Sequence, residues 1–198
     1  MKKFSTKALI QIAIMGALGG VLLKINFPIP IAPSFYKIDF SDVPALIGAF
    51  SLGPLATVYI QLIKIIIKLL IDGTQTAFVG ELSKFIISLS LTLPAAIIYT
   101  KNRSKKGAII SLVISCLTMV VMAAITNYFL IIPAYVKFMN FPLEAIIGLG
   151  AKIYPAINSK LMLVLLCTVP FNLIQAILTS IITFLLYKRI SPLIDNNR

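Results

Sequence analysis

The sequence predicts an all-α integral membrane protein: a bundle of six transmembrane helices with both termini cytoplasmic and an ordered, proline-rich first extracytoplasmic loop. Three observations predict it. The first is composition. Of 198 residues, 59% are hydrophobic and 12% charged, with a mean hydropathy of +1.01. A soluble domain is about 45–50% apolar and about 25% charged, and disorder needs the opposite balance. The second is length. Six spans of about 20 residues occupy roughly 120 residues, which leaves one transmembrane domain over residues 1–198 and no large soluble domain. The third is where the charge lies. The chain carries 18 Lys+Arg against 6 Asp+Glu, a net charge of +12. In a soluble protein that balance points to nucleic acid. Here Lys2, Lys3 and Lys7, then Lys101, Arg103, Lys105 and Lys106, then Lys188, Arg189 and Arg198 share one side with a single acid, Asp195. Cytoplasmic loops of membrane proteins collect Lys and Arg in this way. The positive charge is therefore an orientation signal, and nucleic acid is excluded as a partner; the partner surface is a lipid bilayer, crossed several times.

Residues 8–25 form the first helix; about 18 apolar residues exceed a signal-peptide core, and more spans come after it. Pro28, Pro30 and Pro33 then forbid a helix, because each lacks an N–H and biases its predecessor to extended geometry. Residues 43–52 form a short second helix, capped by Ser41 or Asp42, with Pro44 in its first turn. Gly53-Pro54 ends it and starts the third, 55–71, as a tight hairpin or broken pair. The fourth covers 78–99. The fifth covers 108–132 and is closed by Pro133. Residues 134–160 read as a loop with a short interfacial helix. The sixth covers 161–187, kinked at Pro170, which neighbouring groups can accommodate.

Several chemistries are excluded. The chain has no His, so it has no Ser-His-Asp triad and no His zinc site, and no metal is expected. Cys116 and Cys167 lie singly in apolar runs and read as packing. No GxxxxGK[ST] loop is present, so this chain has no ATP site of that kind. The carboxylates are scattered and no hydroxyl has a base, so catalytic residues are not expected.

What remains is polar residues at membrane depth, where they are costly and face a bundle interior or cavity. Lys64, Lys68 and Asp72 share one face of the third helix, and Glu81 and Lys84 begin the fourth. These are either ion pairs (Lys68 with Asp72, Lys84 with Glu81) or the polar wall of a pocket. Asn127 and Asn172 either bond across helices or bind a ligand. In the first helix Ala13 and Ala17, with Gly16, Gly19 and Gly20, make a smooth face for close approach, either inside the bundle or against a partner.

Phe27-Pro-Ile-Pro-Ile-Ala-Pro-Ser-Phe-Tyr-Lys-Ile-Asp-Phe-Ser-Asp-Val-Pro-Ala-Leu-Ile-Gly48, together with Asn127-Tyr128 and Pro170-Phe-Asn172, resembles the substrate-binding (S) subunits of energy-coupling factor transporters, and among them the riboflavin type. The resemblance runs nearly end to end. It implies a transport subunit and not an enzyme: one that binds riboflavin on the extracytoplasmic side, under the first loop, and releases it inward when docked on a transmembrane coupling subunit with two ATPases. It implies no cofactor, since riboflavin is the transported ligand. It implies that Asn127 and Asn172 contact the flavin, that Tyr36, Lys37, Ile38, Asp39 and Phe40 form a lid, and that Ala13 and Ala17 form the docking face. The family pattern Phe-Asn-x-x-Lys has Gln175 at its lysine position, so Gln175 is a substrate-binding candidate without the charge. The alternatives are an S subunit for another vitamin or a phosphorylated flavin, and an assembly protein with no small ligand.

Overall fold

A computed structural model describes residues 4–194, and side chains as far as residue 187. Lys2, Lys3, Asp195 and Arg198 lie outside the described residues, as do the side chains of Lys188 and Arg189.

Helix α1 (Thr6–Leu22) starts where the Ser5 hydroxyl accepts the Ala8 N–H. The proline-rich stretch after it is not helical. Its ends pair as an antiparallel hairpin of β1 (Asn26–Pro28) and β2 (Lys37–Asp39), with Asn26 opposite Asp39 and Pro28 opposite Lys37. Helices α2 (Asp42–Leu52) and α3 (Pro54–Asp72) are joined by Gly53 alone, at φ +89°, a left-handed backbone that favours glycine. The turn folds α3 back along α2, so that Asp42 meets Lys64. Ser41 makes no side-chain cap on α2, and the Asp42 carboxylate is drawn sideways to Gln61 of α3 and Ser88 of α4; Asp39 Oδ1 accepts the Ser41 N–H just ahead of the helix at 2.9 Å.

Helix α4 (Val79–Lys101) carries Pro94 inside it, and α5 (Lys105–Thr126) starts with Ser104 accepting the Gly107 N–H at 2.9 Å. The expected stop at Pro133 does not occur. A π-helical turn, Asn127–Ile131, widens the helix just before the proline, with the Ile132 N–H bonding the Asn127 carbonyl, and the helix runs on through Pro133 as α6 (Ile132–Met139). The stretch read as a loop also holds α7 (Leu143–Ala151). The last segment is α8 (Lys160–Leu163), a second π-helical turn, Val164–Thr168, and α9 (Val169–Ile194). The irregularity expected at Pro170 is this wide turn, immediately upstream of it.

Among the described residues, four helical stretches are long and apolar enough to cross a membrane: Pro54–Asp72, Val79–Lys101, Lys105–Met139 and Lys160–Tyr187. Thr6–Leu22 and Asp42–Leu52 are apolar but shorter. The outside of the bundle is greasy, with Leu70 77% and Phe129 72% exposed, as suits contact with lipid and not water. Inside, the small residues of α1 divide. Gly16, Gly19 and Gly20 are buried, and a Cβ at Gly16 or Gly20 would stand 2.6 or 2.5 Å from an isoleucine side chain of α3. Ala13 is exposed and Ala17 half-buried. The glycines therefore seat α1 on α3, and the two alanines stand outside that seam.

Cores lie at both ends of the bundle. At the Gly53 end, Phe50, Tyr99 and Tyr187 stack with ring centroids 4.4 to 5.9 Å apart. At the hairpin end, Ile38, Ile146, Ile157, Leu163 and Phe171 pack under the first loop. Cys116 and Cys167 are buried free thiols. The length of α2 decides where the first loop sits. Its 11 residues extend roughly 16 Å, against roughly 28 Å for the 19 of α3. It stops part-way along α3, and the first loop descends onto its open end.

Candidate functional site

The first loop, α4, the α5–α6 join, α7 and α9 enclose a cavity of about 410 Å³ in the space that the short α2 leaves. That size suits a small organic molecule. Ile87, Met119, Ile131, Ile146, Leu163 and Phe171 supply apolar wall, and Asp39, Lys84, Asn127, Asn172 and Gln175 supply polar groups.

The structure brings most of the expected binding residues together here. Tyr36, Lys37 and Asp39 line the cavity, with Asn127, Asn172 and Gln175. Ile38 does not: it is 2% exposed and packed in the core that also supplies Ile146, Leu163 and Phe171 to the cavity wall. Phe40 packs on the same core and against Phe27.

The two asparagines are held alike. Asn127 opens the first π-helical turn and donates from Nδ2 to the Ala123 carbonyl at 2.8 Å; Asn172, just beyond the second, donates to the Thr168 carbonyl at 2.8 Å. One amide hydrogen is used on each helix, which fixes the side chain and leaves its oxygen and second hydrogen for a ligand. Sequence left cross-helix bonding and ligand binding equal for these residues. Their protein bonds run within their own helices, not across them.

Gln175 is placed differently from the expectation. It borders the cavity, but its amide is engaged with the peptide of Asp39: Nε2 donates to the Asp39 carbonyl at 2.6 Å, and Oε1 accepts the Asp39 N–H at 3.3 Å. The side chain thus clasps β2 as a neighbouring strand would. Tyr36 fastens the loop a second time, its hydroxyl 2.6 Å from Thr168 Oγ1 and its ring 5.0 Å from that of Phe171. Burial raises the pKa of the Tyr36 phenol well above its ordinary value, against a smaller opposing effect of the Thr168 hydrogen bond, so the group is a neutral hydroxyl.

The charges pair across elements, and the two pairs expected along the chain are not formed. Lys68 bonds Glu81, whose other oxygen accepts from Thr74 and Thr76. Asp72 instead bonds Lys24, in the turn just after α1. Lys84 bonds Asp39 at 2.8 Å and Asp42 at 3.4 Å, and Lys64 bonds Asp42 at 2.6 Å. Neighbouring helices offer shorter routes than the i, i+4 step, and a buried ammonium is tolerated only with a carboxylate in direct contact. Of these lysines and acids, Lys84 and Asp39 reach the cavity; Lys64, Lys68, Asp72 and Glu81 do not border it.

Sequence reasoning missed several partners. Asp42, in a capping position along the chain, is the buried centre of the charge cluster, with Gln61 donating at 3.0 Å and Ser88 at 3.0 Å. The signal was present as stripes: Gln61, Lys64 and Lys68 on α3, and Glu81, Lys84, Ser88 and Thr92 on α4, at helical spacing. Thr168 and the cavity wall from α7 left no such trace.

Three comparisons bear on this arrangement. A family profile described as ECF transporter, substrate-specific component, matches residues 7–187. The chain is 32% identical over 193 residues to the riboflavin transporter FmnP of Bacillus subtilis (strain 168), covering 97% of this chain and 96% of that protein. It is 33% identical over 185 residues to the riboflavin transporter RibU of Staphylococcus aureus (strain TCH60), covering 93% and 90%. Its fold matches a solved structure of the S component of a bacterial ECF transporter with a TM-score of 0.72, at 33% identity, over 94% of this chain and 96% of that one.

Proposed function

The chain belongs to the family of ECF transporter substrate-specific components, and from that premise we propose that it is the riboflavin-binding subunit of a vitamin importer in the bacterial cell membrane. The observation that carries the proposal is the cavity under the first loop: mostly apolar, about 410 Å³, with the amides of Asn127 and Asn172 fixed in its wall. An isoalloxazine ring is flat and apolar with a polar edge, and the ribityl chain is a row of hydroxyls. The apolar wall takes the ring, and the two amides take polar edges by donating and accepting at once. The names of the two relatives supply the vitamin.

In this reading residues 1–198 form a single domain that crosses the membrane six times, with α2 as the short pass. Both termini are cytoplasmic, which the exposed Lys7, Lys101, Lys105 and Lys106 support. Tyr36, Lys37 and Asp39 form the inner face of a lid. It opens by releasing the Gln175 clasp, the Tyr36–Thr168 bond and the Asp39–Lys84 pair. Ala13 and Ala17 form a docking face for a transmembrane coupling subunit, on which two ATPases act. The chain binds and moves riboflavin; it does not transform it.

Titration of riboflavin into the purified wild type and Asn172→Ala, followed by flavin fluorescence quenching, tests the site. The substitution is expected to weaken binding by about 1–3 kcal/mol, the cost of leaving a buried ligand group unpaired. Wild-type affinity in a variant that melts normally would remove Asn172 from the site.

A further inference from the structure

The cavity borders a cluster of four charges whose sum is zero. Asp39 and Asp42 supply two carboxylates, and Lys64 and Lys84 supply two ammoniums. The contacts form a chain: Asp39 to Lys84 at 2.8 Å, Lys84 to Asp42 at 3.4 Å, Asp42 to Lys64 at 2.6 Å. Asp42 and Lys64 have fully buried side chains. Asp39 and Lys84 form the end of the chain that reaches the cavity, and the Lys84 side chain is 22% exposed. Among the described residues, one other charged group borders the cavity, Lys37, which is solvent-exposed.

We infer that the balance of this cluster sets the cavity's selectivity for an uncharged flavin over its phosphomonoester, with Lys84 and Asp39 as the specificity-determining pair. This rests on the flavin-binding function proposed above and deepens it. An ammonium has three hydrogens. Lys84 directs two at carboxylates, which leaves one for a neutral hydroxyl or carbonyl of the ligand. A phosphomonoester carries about −1.5 to −2 charges near neutral pH. Entering this cavity it must lose its water, and losing water is recovered only against an uncompensated cation. The cluster offers none: the charge of Lys84 is already cancelled by Asp39, and that of Lys64 by Asp42. Lys37 lies in water, where screening weakens its pull.

The experiment measures dissociation constants for riboflavin and for its 5′-phosphate, by fluorescence quenching, on detergent-purified full-length protein, and compares their ratio. The wild type is expected to bind riboflavin more tightly by roughly tenfold or more. Asp39→Asn unmasks one positive charge and keeps an oxygen to accept from Ser41. It is expected to shift the ratio roughly tenfold toward the phosphate. Lys84→Gln leaves the cluster one charge negative and is expected to shift the ratio in the opposite direction. Because each variant is read as a ratio, a general loss of affinity cancels, and equal wild-type affinities would count against the inference even if a variant does not fold. Equal wild-type affinities for the two flavins overturn the inference. So does a ratio that responds to Lys37→Gln but not to Asp39→Asn. A wild type that binds neither flavin contradicts the proposed function itself; a wild type that binds riboflavin with ratios unmoved by these variants contradicts the charge balance alone.

Discussion

Replacing Lys64 with methionine is expected to lower the stability of the folded bundle by about 3–5 kcal/mol, the cost of stranding one member of a buried ion pair. Lys64 is fully buried, and its Nζ lies 2.6 Å from Asp42 Oδ1 and 3.0 Å from Ser88 Oγ. Methionine fills much the same space. Room is tight along the stem, because a Cβ at Gly19 of α1 would stand 3.3 Å from Lys64 Cγ and Cδ. The substitution therefore removes the charge and little else. Asp42 keeps Gln61 and Ser88, which hydrogen-bond it without neutralising it, and the longer contact to Lys84, whose charge Asp39 already shares. The check is thermal unfolding in detergent. Removing the carboxylate as well, in Lys64→Met with Asp42→Leu, should recover much of the loss, since a buried pair replaced by apolar groups is often neutral. A single variant as stable as the wild type would show that the pair does not hold α2 to α3.

Leucine at Ala13 and Ala17 is expected to abolish riboflavin uptake in the presence of the coupling module while leaving riboflavin binding intact. Small residues let helix backbones approach closely, and a large side chain props them apart. The fold separates two sets of small residues on α1. Gly16, Gly19 and Gly20 are buried against α3, whereas Ala13 is exposed and Ala17 half-buried. Enlarging the alanines leaves the internal seam in place and alters the outer face. The measurement pairs uptake with riboflavin titration on the same variants. Lost binding in Ala13→Leu, the more exposed of the two, would mean that this face packs within the subunit.

Much of the architecture was legible in the sequence, because its cause is local. Apolar runs set the long helices, Gly53-Pro54 set the hairpin of α2 and α3, and three prolines kept the first loop out of a helix. The pairing of charges was not legible. Lys68 with Asp72 and Lys84 with Glu81 are the pairs that spacing favours, yet Lys68 takes Glu81 and Lys84 takes Asp39, because contacts across the bundle bring opposite charges closer. The two π-helical turns were hidden as well, since widening a helix by one residue leaves its composition unchanged. The site was half legible. Asn127 and Asn172 stood out as amides at membrane depth, whereas the engagement of Gln175 with a peptide 136 residues away depends on how the first loop descends. Asp42, in a capping position by local rules, is the buried node because α2 stops part-way along α3.

The central claim is that the cavity beneath the first loop holds riboflavin, and equilibrium binding to the isolated subunit tests it most directly. Full-length protein purified in mild detergent, without the coupling module, is titrated with riboflavin while flavin fluorescence is recorded. The expected result is tight, saturable quenching with one riboflavin per chain, and a yellow preparation when the cells are grown with the vitamin. A colourless, folded protein that shows no saturable binding of added riboflavin would contradict it.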